Sequence, residues 1–314
     1  MKNKKIVVTG GLGFIGSHIV DELIDDNYIT ILDNKSSGKI ENLNNPNHEN
    51  LNIIIGDLND LDLSDIFIGI DYVFHLAALA SVPMSVENPL LSHENNTDAT
   101  TKLLIAAKDC GVKKVVFSSS SAVYGENPNM PLKEDEPLSP TSPYAATKAA
   151  GELYCQSFTK TYGIPTVSLR YFNVFGPKQD VNSHYAAVIP NFIFALINNQ
   201  QPIIYGDGEQ SRDFIFISDI VNANISACES DYTGTVNIAS GKAMTINELF
   251  NIIKKAVNSN INPNYRPERS GDIKHSLADV NKMKKINFKV DSSLFPQQLK
   301  TTIDWFRDNY LNQE

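Results

Sequence analysis

An α/β fold, in which a doubly wound parallel sheet is completed by a smaller, interleaved C-terminal lobe, is expected from three observations. Short apolar runs alternate with amphipathic stretches of helical period through the first half of the chain. Those runs are apolar throughout, as expected of strands buried on both faces. After Phe175 the alternation gives way to loop-like and mixed segments. The strand candidates are KIVVTG, YITILDN, LNIIIGDL, DYVFHLAA, KKVVFSSSS and TVSLRYFNVFG. Helical patterns between them include FIGSHIVDELIDD, NTDATTKLLIAAKDCG and YAATKAAGELYCQSFTKTYG. Further on, GPKQDVNSHYAAVIP reads as loop, NFIFALINN as helix, and PIIYGDG as a short strand and turn. DIVNANISACES and TVNIAS are expected to return to the sheet, while TINELFNIIKKAVN and the tail form the smaller lobe. With no repeat and no low-complexity linker, the two lobes should interleave.

Composition narrows the function. Hydrophobic residues make up 42% and charged residues 20% of 314, the balance of a globular chain that can bury a large core. A formal net charge of −9, spread along the chain, gives no nucleic-acid surface. Cys110, Cys155 and Cys228 are odd in number and far apart, which suits reduced thiols and neither disulfides nor zinc. MKNKK followed by IVVTGGLGFIG has the outline of a secretion signal, but four glycines interrupt it and no small-x-small site closes it. No other stretch approaches the length of a membrane span. A soluble, cytoplasmic protein with no membrane, nucleic-acid or metal partner is expected.

Gly10, Gly13 and Gly16 follow the first strand and head a helix. Glycines there let the backbone turn tightly and approach a pyrophosphate, while the helix N-terminus offers free N–H groups and the positive end of its dipole. Asp33 ends the second strand about 20 residues on, where a carboxylate accepts from the adenosine ribose hydroxyls and repels a 2′-phosphate. The pattern is that of a Rossmann-type site and favours NAD. GDL and HLAA end the next two strands on the same rim, so Asp57 is a candidate for the adenine and Ala77 for the cofactor backbone. His75 is read as structural.

SPYAATKAAGE places Tyr144 and Lys148 one helical turn apart on the same face. An ammonium beside a phenol lowers the phenol's pKa. A chance Tyr-x-x-x-Lys is common in helices, so the rest of the chain has to decide. TGGLGFIGSHIV, HLAA, SPYAATKAAGE, RYFNVFGP, GDGEQSRDFIFISD and RSGDIKHSLAD stand in the order of the extended short-chain dehydrogenase/reductase family. More narrowly, they resemble the NAD-dependent UDP-hexose 4-epimerases over essentially the whole chain.

The resemblance implies residues 1–175, rejoined by about 214–241, as the NAD-binding domain, and 176–314 as mainly the UDP-sugar lobe. It implies Tyr144 as general base, Lys148 lowering its pKa and holding the nicotinamide ribose, and Ser120 relaying the proton. Cofactor contacts would come from Gly10, Gly13, Phe14, Ile15, Gly16, Asp33, Asn34, Asp57, Leu58, Leu76, Ala77 and Ala78, together with Tyr144 and Lys148. Asn173, Arg212, Arg269 and Asp272 would hold UDP, since the arginine fork can donate twice to a diphosphate. Ser81, Ser85, Ser121, Val188 and Tyr205 complete the substrate candidates with Tyr144. Ser276 precedes LAD in HSLAD, where glucose- and galactose-restricted epimerases carry a tyrosine. A small residue leaves room for an N-acetyl group, and the surrounding motifs look most like the bacterial UDP-N-acetylglucosamine 4-epimerases. A homodimer through the helices near Thr97–Cys110 and Tyr144–Tyr162 is also implied.

Two departures loosen the phosphate contacts near residues 80–85. Ala80 stands where galactose-pathway enzymes often have lysine, and Ala99 replaces a common glycine. Sugar-nucleotide 4,6-dehydratases need an Asp–Glu pair after the strand-five serine, where this chain has Ser121–Ala122–Val123. UDP-glucose and UDP-glucuronate epimerases remain open. A non-catalytic NAD-binding protein is the alternative of a different class, and it would be expected to lack Tyr144 or Lys148.

Overall fold

A computed structural model of the chain describes residues 1–181, 187–268 and 273–311. The glycine loop joins β1 (Lys5–Thr9) to α1 (Phe14–Leu23). Then come β2 (Tyr28–Asp33), β3 (Leu51–Ile55), α2 (Leu63–Ile66), β4 (Tyr72–His75), α3 (Val82–Glu87) and α4 (Pro89–His93). A π-helical turn, Glu94–Asp98, leads into α5 (Ala99–Asp109), followed by β5 (Lys114–Ser120), α6 (Pro143–Tyr162), β6 (Thr166–Tyr171) and β7 (Asn173–Phe175). The remainder is α7 (Val188–Ile197), β8 (Ile203–Tyr205), β9 (Ser211–Phe216), α8 (Ile217–Glu229) and β10 (Gly234–Ile238). It ends with β11 (Ala243–Thr245), α9 (Ile246–Ala256), β12 (Asn264–Arg266) and α10 (Phe295–Tyr310).

Seven strands form one parallel sheet in the order β10-β6-β5-β4-β1-β2-β3. One face packs on α1 and α8 through residues such as Ile19, Val20, Ile220 and Ala223. The other packs on α5 and α6 through Leu103, Leu104, Cys155 and Phe158. A separate core of Phe175, Ile189, Phe192, Phe250, Ile303 and Phe306 binds α7, α9 and α10 around a three-stranded sheet, β11-β9-β7.

Three expectations are corrected. TVSLRYFNVFG is not one strand: at Phe172 the chain leaves the main sheet, its N–H donating to Ile238 O, and β7 pairs with β9 instead. β3 is an edge strand and is not buried on both faces, Ile55 being half exposed. Of the two segments expected to rejoin the sheet, TVNIAS supplies β10, whereas DIVNANISACES is helix α8 covering it.

Candidate active site

The glycine loop lies where the sheet order turns outward from β1. Gly10 has φ +67°, and a Cβ there would meet Ala77 N at 2.8 Å; one on Gly16 would meet Gly10 O at 2.1 Å. Side chains are therefore excluded where β1 and the loop after β4 converge. Gly13 begins α1, and no side chain caps that end, which leaves its N–H dipoles facing the cavity. Asp33 locks the loop as well as facing the cavity: Oδ2 accepts from Leu12 N–H at 3.0 Å and Oδ1 from Lys35 N–H at 2.7 Å. Asn34 Nδ2 donates to Asp57 Oδ2 at 3.0 Å. A cavity of about 670 Å³ runs along this rim. It brings together all the cofactor-facing candidates from Gly10 to Ala78, and it continues to Ser120, Tyr144 and Lys148. Its stretch of glycine backbone, an anion-ready helix end and a carboxylate at the end of β2 suit a dinucleotide.

α6 carries the candidate pair Tyr144 and Lys148. Ser142 caps it, accepting from Ala145 N–H at 3.2 Å, Pro143 occupies its first turn, and Gly163 at φ +74° ends it. Tyr144 is anchored through its own N–H, which donates to Ser85 Oγ at 3.0 Å. Its phenol lies beside the Ser120 hydroxyl, which in turn accepts from Ala122 N–H at 3.2 Å. Lys148 is buried, with Nζ donating to Ser118 O at 2.6 Å and lying 5.1 Å from the centre of the Phe117 ring.

The electrostatics differ from expectation. Burial pushes the Tyr144 phenol up, opposed by the neighbouring Ser120 hydroxyl. The ammonium is engaged by Ser118 O, and its own burial pulls it down to about 8. His75 bridges Thr9 Oγ1 (2.8 Å) and Thr100 Oγ1 (2.9 Å), and burial pulls it down to about 3, so it is neutral and structural.

A second cavity of about 320 Å³ collects Asn173, Val188, Tyr205 and Arg212, and Val174 of β7 lines both cavities. Gln210 and Phe214 line it too. They were missed in the sequence, although Phe214 shares the face of β9 with Arg212 two residues before it, and Gln210 immediately precedes that strand. Asn173 Nδ2 donates to Asp213 O at 3.1 Å, and Arg212 Nη1 to Ser211 O at 2.9 Å.

Four candidates line neither cavity. Ser81 caps α3, accepting from Met84 N–H at 3.3 Å. Ser85 is occupied by Val82 O and Tyr144 N–H, Ser121 opens the turn after β5, and Ser276 is buried beside β9 with its N–H on Ser211 O. Arg269 and Asp272 lie outside the described residues. Among the described residues no group of His, Cys, Asp or Glu is placed to hold a metal ion, and no helix is long and apolar enough to cross a membrane.

Residues 6–239 match the model of the NAD dependent epimerase/dehydratase family. The solved UDP-N-acetylglucosamine 4-epimerase from Methanobrevibacter ruminantium M1, in complex with UDP-N-acetylmuramic acid, is 63% identical with a TM-score of 0.98. That match covers 98% of this chain and 100% of the other. A UDP-glucose 4-epimerase from Thermotoga maritima, solved with UDP-glucose, is 38% identical with a TM-score of 0.92, over 97% and 99% of the two chains. The UDP-glucose 4-epimerase of Mycolicibacterium smegmatis is 34% identical over 97% of this chain and 99% of its own.

Proposed function

The chain belongs to the NAD dependent epimerase/dehydratase family, and on that premise we propose that it is a UDP-N-acetylglucosamine 4-epimerase. It interconverts UDP-N-acetylglucosamine and UDP-N-acetylgalactosamine through a transient 4-keto sugar. One observation carries the choice of sugar: 63% identity, end to end, with an enzyme of that activity. The resemblance adds Ser276, which stands where glucose- and galactose-restricted epimerases carry a tyrosine, although its side chain lines neither cavity.

NAD fits the larger cavity, and when bound it supplies a reversible hydride acceptor beside the sugar. The chain's own residues do the rest. Gly10, Gly13 and Gly16 admit the pyrophosphate to the end of α1, and Asp33 takes the adenosine ribose. Asp57 would meet the adenine, and Phe14, Ile15, Asn34, Leu58, Leu76, Ala77 and Ala78 line the same cavity. Tyr144 takes the proton from the sugar 4-hydroxyl and Ser120 relays it. A phenol raised by burial is a poor base at neutral pH, so catalysis requires positive charge at that end of the cavity, from Lys148 and the nicotinamide. Arg212 and Asn173 hold the diphosphate in the second cavity, which leaves the sugar free to turn at the shared wall, Val174. Arg269 and Asp272, outside the described residues, are assigned to UDP by the resemblance alone.

Residues 1–175, rejoined by about 214–241, act as the NAD-binding unit, and 176–314 mainly as the UDP-sugar lobe. The enzyme works as a homodimer through α5 and α6, which carry the exposed apolar residues Ile105, Leu153, Tyr154 and Tyr162. Its three free thiols suit the cytoplasm, and its product suits polysaccharide synthesis.

Proton NMR of the purified protein, incubated separately with UDP-N-acetylglucosamine, UDP-glucose and UDP-glucuronate, tests the reading. Faster epimerisation of the first is expected. Turnover of UDP-glucose alone overturns the role of Ser276, and turnover of UDP-glucuronate alone replaces the substrate. Size-exclusion chromatography with light scattering tests the dimer.

A further inference from the structure

We infer that the buried Glu152–Arg170 ion pair, acting through Ser119, is the positioning element that holds Ser120 and Lys148 in register with Tyr144. The inference rests on the epimerase reading for its kinetic test and on geometry for its origin.

Tyr144, Lys148 and Glu152 sit at successive turns of α6, so the three side chains descend one face of the helix. They meet three consecutive residues at the end of β5. The Tyr144 phenol lies beside the Ser120 hydroxyl, Lys148 Nζ donates to Ser118 O, and the Glu152 carboxylate accepts from the Ser119 hydroxyl. Two of these contacts involve reacting groups; the third involves a residue with no place in the chemistry. Glu152, Ser119 and Arg170 are at most 5% exposed.

Arg170 secures that third contact. It is the cross-strand neighbour of Ser119, on β6. Its Nε donates to Glu152 Oε1 at 2.9 Å and its Nη2 to Oε2 at 2.7 Å, a two-pronged pairing that fixes the carboxylate plane. The guanidinium is held in turn, 4.6 Å over the Tyr124 ring, and Tyr124 OH donates to Asn237 Oδ1 at 2.6 Å on β10. A rigid chain therefore runs from β10 through β6 to α6. A buried ion pair adds little to stability compared with an apolar pair of the same volume. Its distinguishing property is direction: the carboxylate can face only one way, and that way presents it to Ser119.

The groups facing Lys148 are Glu152 and Cys155 on its own helix, His75 from β4, and Tyr144 one turn back. Neutralising one member of the pair leaves the other's charge beside this cluster, and the two choices act in opposite senses. Glu152→Gln leaves a net positive charge and favours the phenolate, so the acid limb of the kcat–pH profile moves down by about half a unit or more. Arg170→Met leaves the carboxylate and moves that limb up by a similar amount. The double variant returns it toward the parent.

The experiment measures kcat, KM, the pH profile and thermal midpoint of Ser119→Ala, Glu152→Gln, Arg170→Met and the double variant, using whichever UDP-sugar the parent epimerises. Ser119→Ala removes one hydroxyl and keeps the ion pair, so it tests the inference even if a charge variant does not fold. It is expected to lose about tenfold in kcat, as befits a sub-ångström misplacement, with KM nearly unchanged. Unaltered kcat in Ser119→Ala overturns the inference. So do limbs that stay fixed, or move the same way, while only the melting point falls. Crystal structures of the variants report without any substrate: Ser120 is expected to withdraw from the Tyr144 hydroxyl, and its retention there is contrary. If the parent turns over no UDP-sugar, the epimerase reading fails and these structures still decide the positioning role.

Discussion

Gly151 lies in the middle of α6, between Lys148 and Glu152, where a glycine weakens a helix by about 1 kcal/mol relative to alanine. Gly151→Ala should therefore stabilise the protein if the helix stood alone. The packing opposes this. A Cβ at 151 would sit 2.3 Å from Phe117 Cζ, 2.8 Å from Cε1 and 3.1 Å from Cε2. The ring meets the helix edge-on, and Cζ lies on the ring's flip axis, so rotation about χ2 cannot move it away. Relief requires a shift of Phe117, which is 2% exposed, or of α6 itself. Overpacking of this kind costs about 1–3 kcal/mol. Against the gain in propensity, the expected net loss is about 1 kcal/mol. For 314 residues the unfolding entropy near the midpoint is about 0.7 kcal/mol per degree, so the thermal midpoint should fall by about 1–2 °C. The activity should fall further than the stability. Phe117 lies under Lys148 Nζ, and any displacement of α6 from β5 separates Tyr144 from Ser120. A loss in kcat of about tenfold or more, with KM little changed, is expected. Differential scanning calorimetry and initial-rate kinetics give both numbers. A raised midpoint with unaltered kcat would show that helix propensity wins at this site and refute the packing argument.

Lys148→Met should abolish most turnover while raising stability at pH 7. Burial holds the lysine at about 8 against an ordinary 10.5, so the charged form costs the fold about 3 kcal/mol below pH 8, relieved as pH rises toward 10.5. Losing the Ser118 bond gives back part of this, leaving a gain of about 1 kcal/mol, measurable as a higher melting point; a lower one counts against it. His75, held near 3, refuses a proton that the unfolded chain accepts below about 6.5. Stability should thus fall with pH below that point, by about 2.5 kcal/mol at pH 4.5. Urea titrations of His75→Gln, which can still bridge the two threonines, should show a shallower acid slope. Arg212→Met should raise KM for the UDP-sugar about tenfold or more and leave NAD affinity unchanged, because Arg212 lines only the second cavity. Equal weakening of both ligands contradicts that separation.

Much of the site was legible along the chain because its parts are local. The glycine triplet, the carboxylate ending β2 and the one-turn spacing of Tyr144 and Lys148 lie within single elements, where strand and helix periods decide which groups face together. Alternating apolar runs likewise determined the parallel sheet. Tertiary structure alone decided what those periods do not carry. Tyr144 hangs from Ser85 across 59 residues, and Arg170 reaches Glu152 between a strand and a helix. The chain turns out of the main sheet at Phe172 to form the wall that both cavities share. Charge state was the least legible of all. Spacing predicted a phenol lowered by its lysine, yet packing buried the phenol and bound the lysine to a strand carbonyl. Sequence spacing sets which groups can meet, whereas pKa depends on how much water the rest of the fold excludes from them.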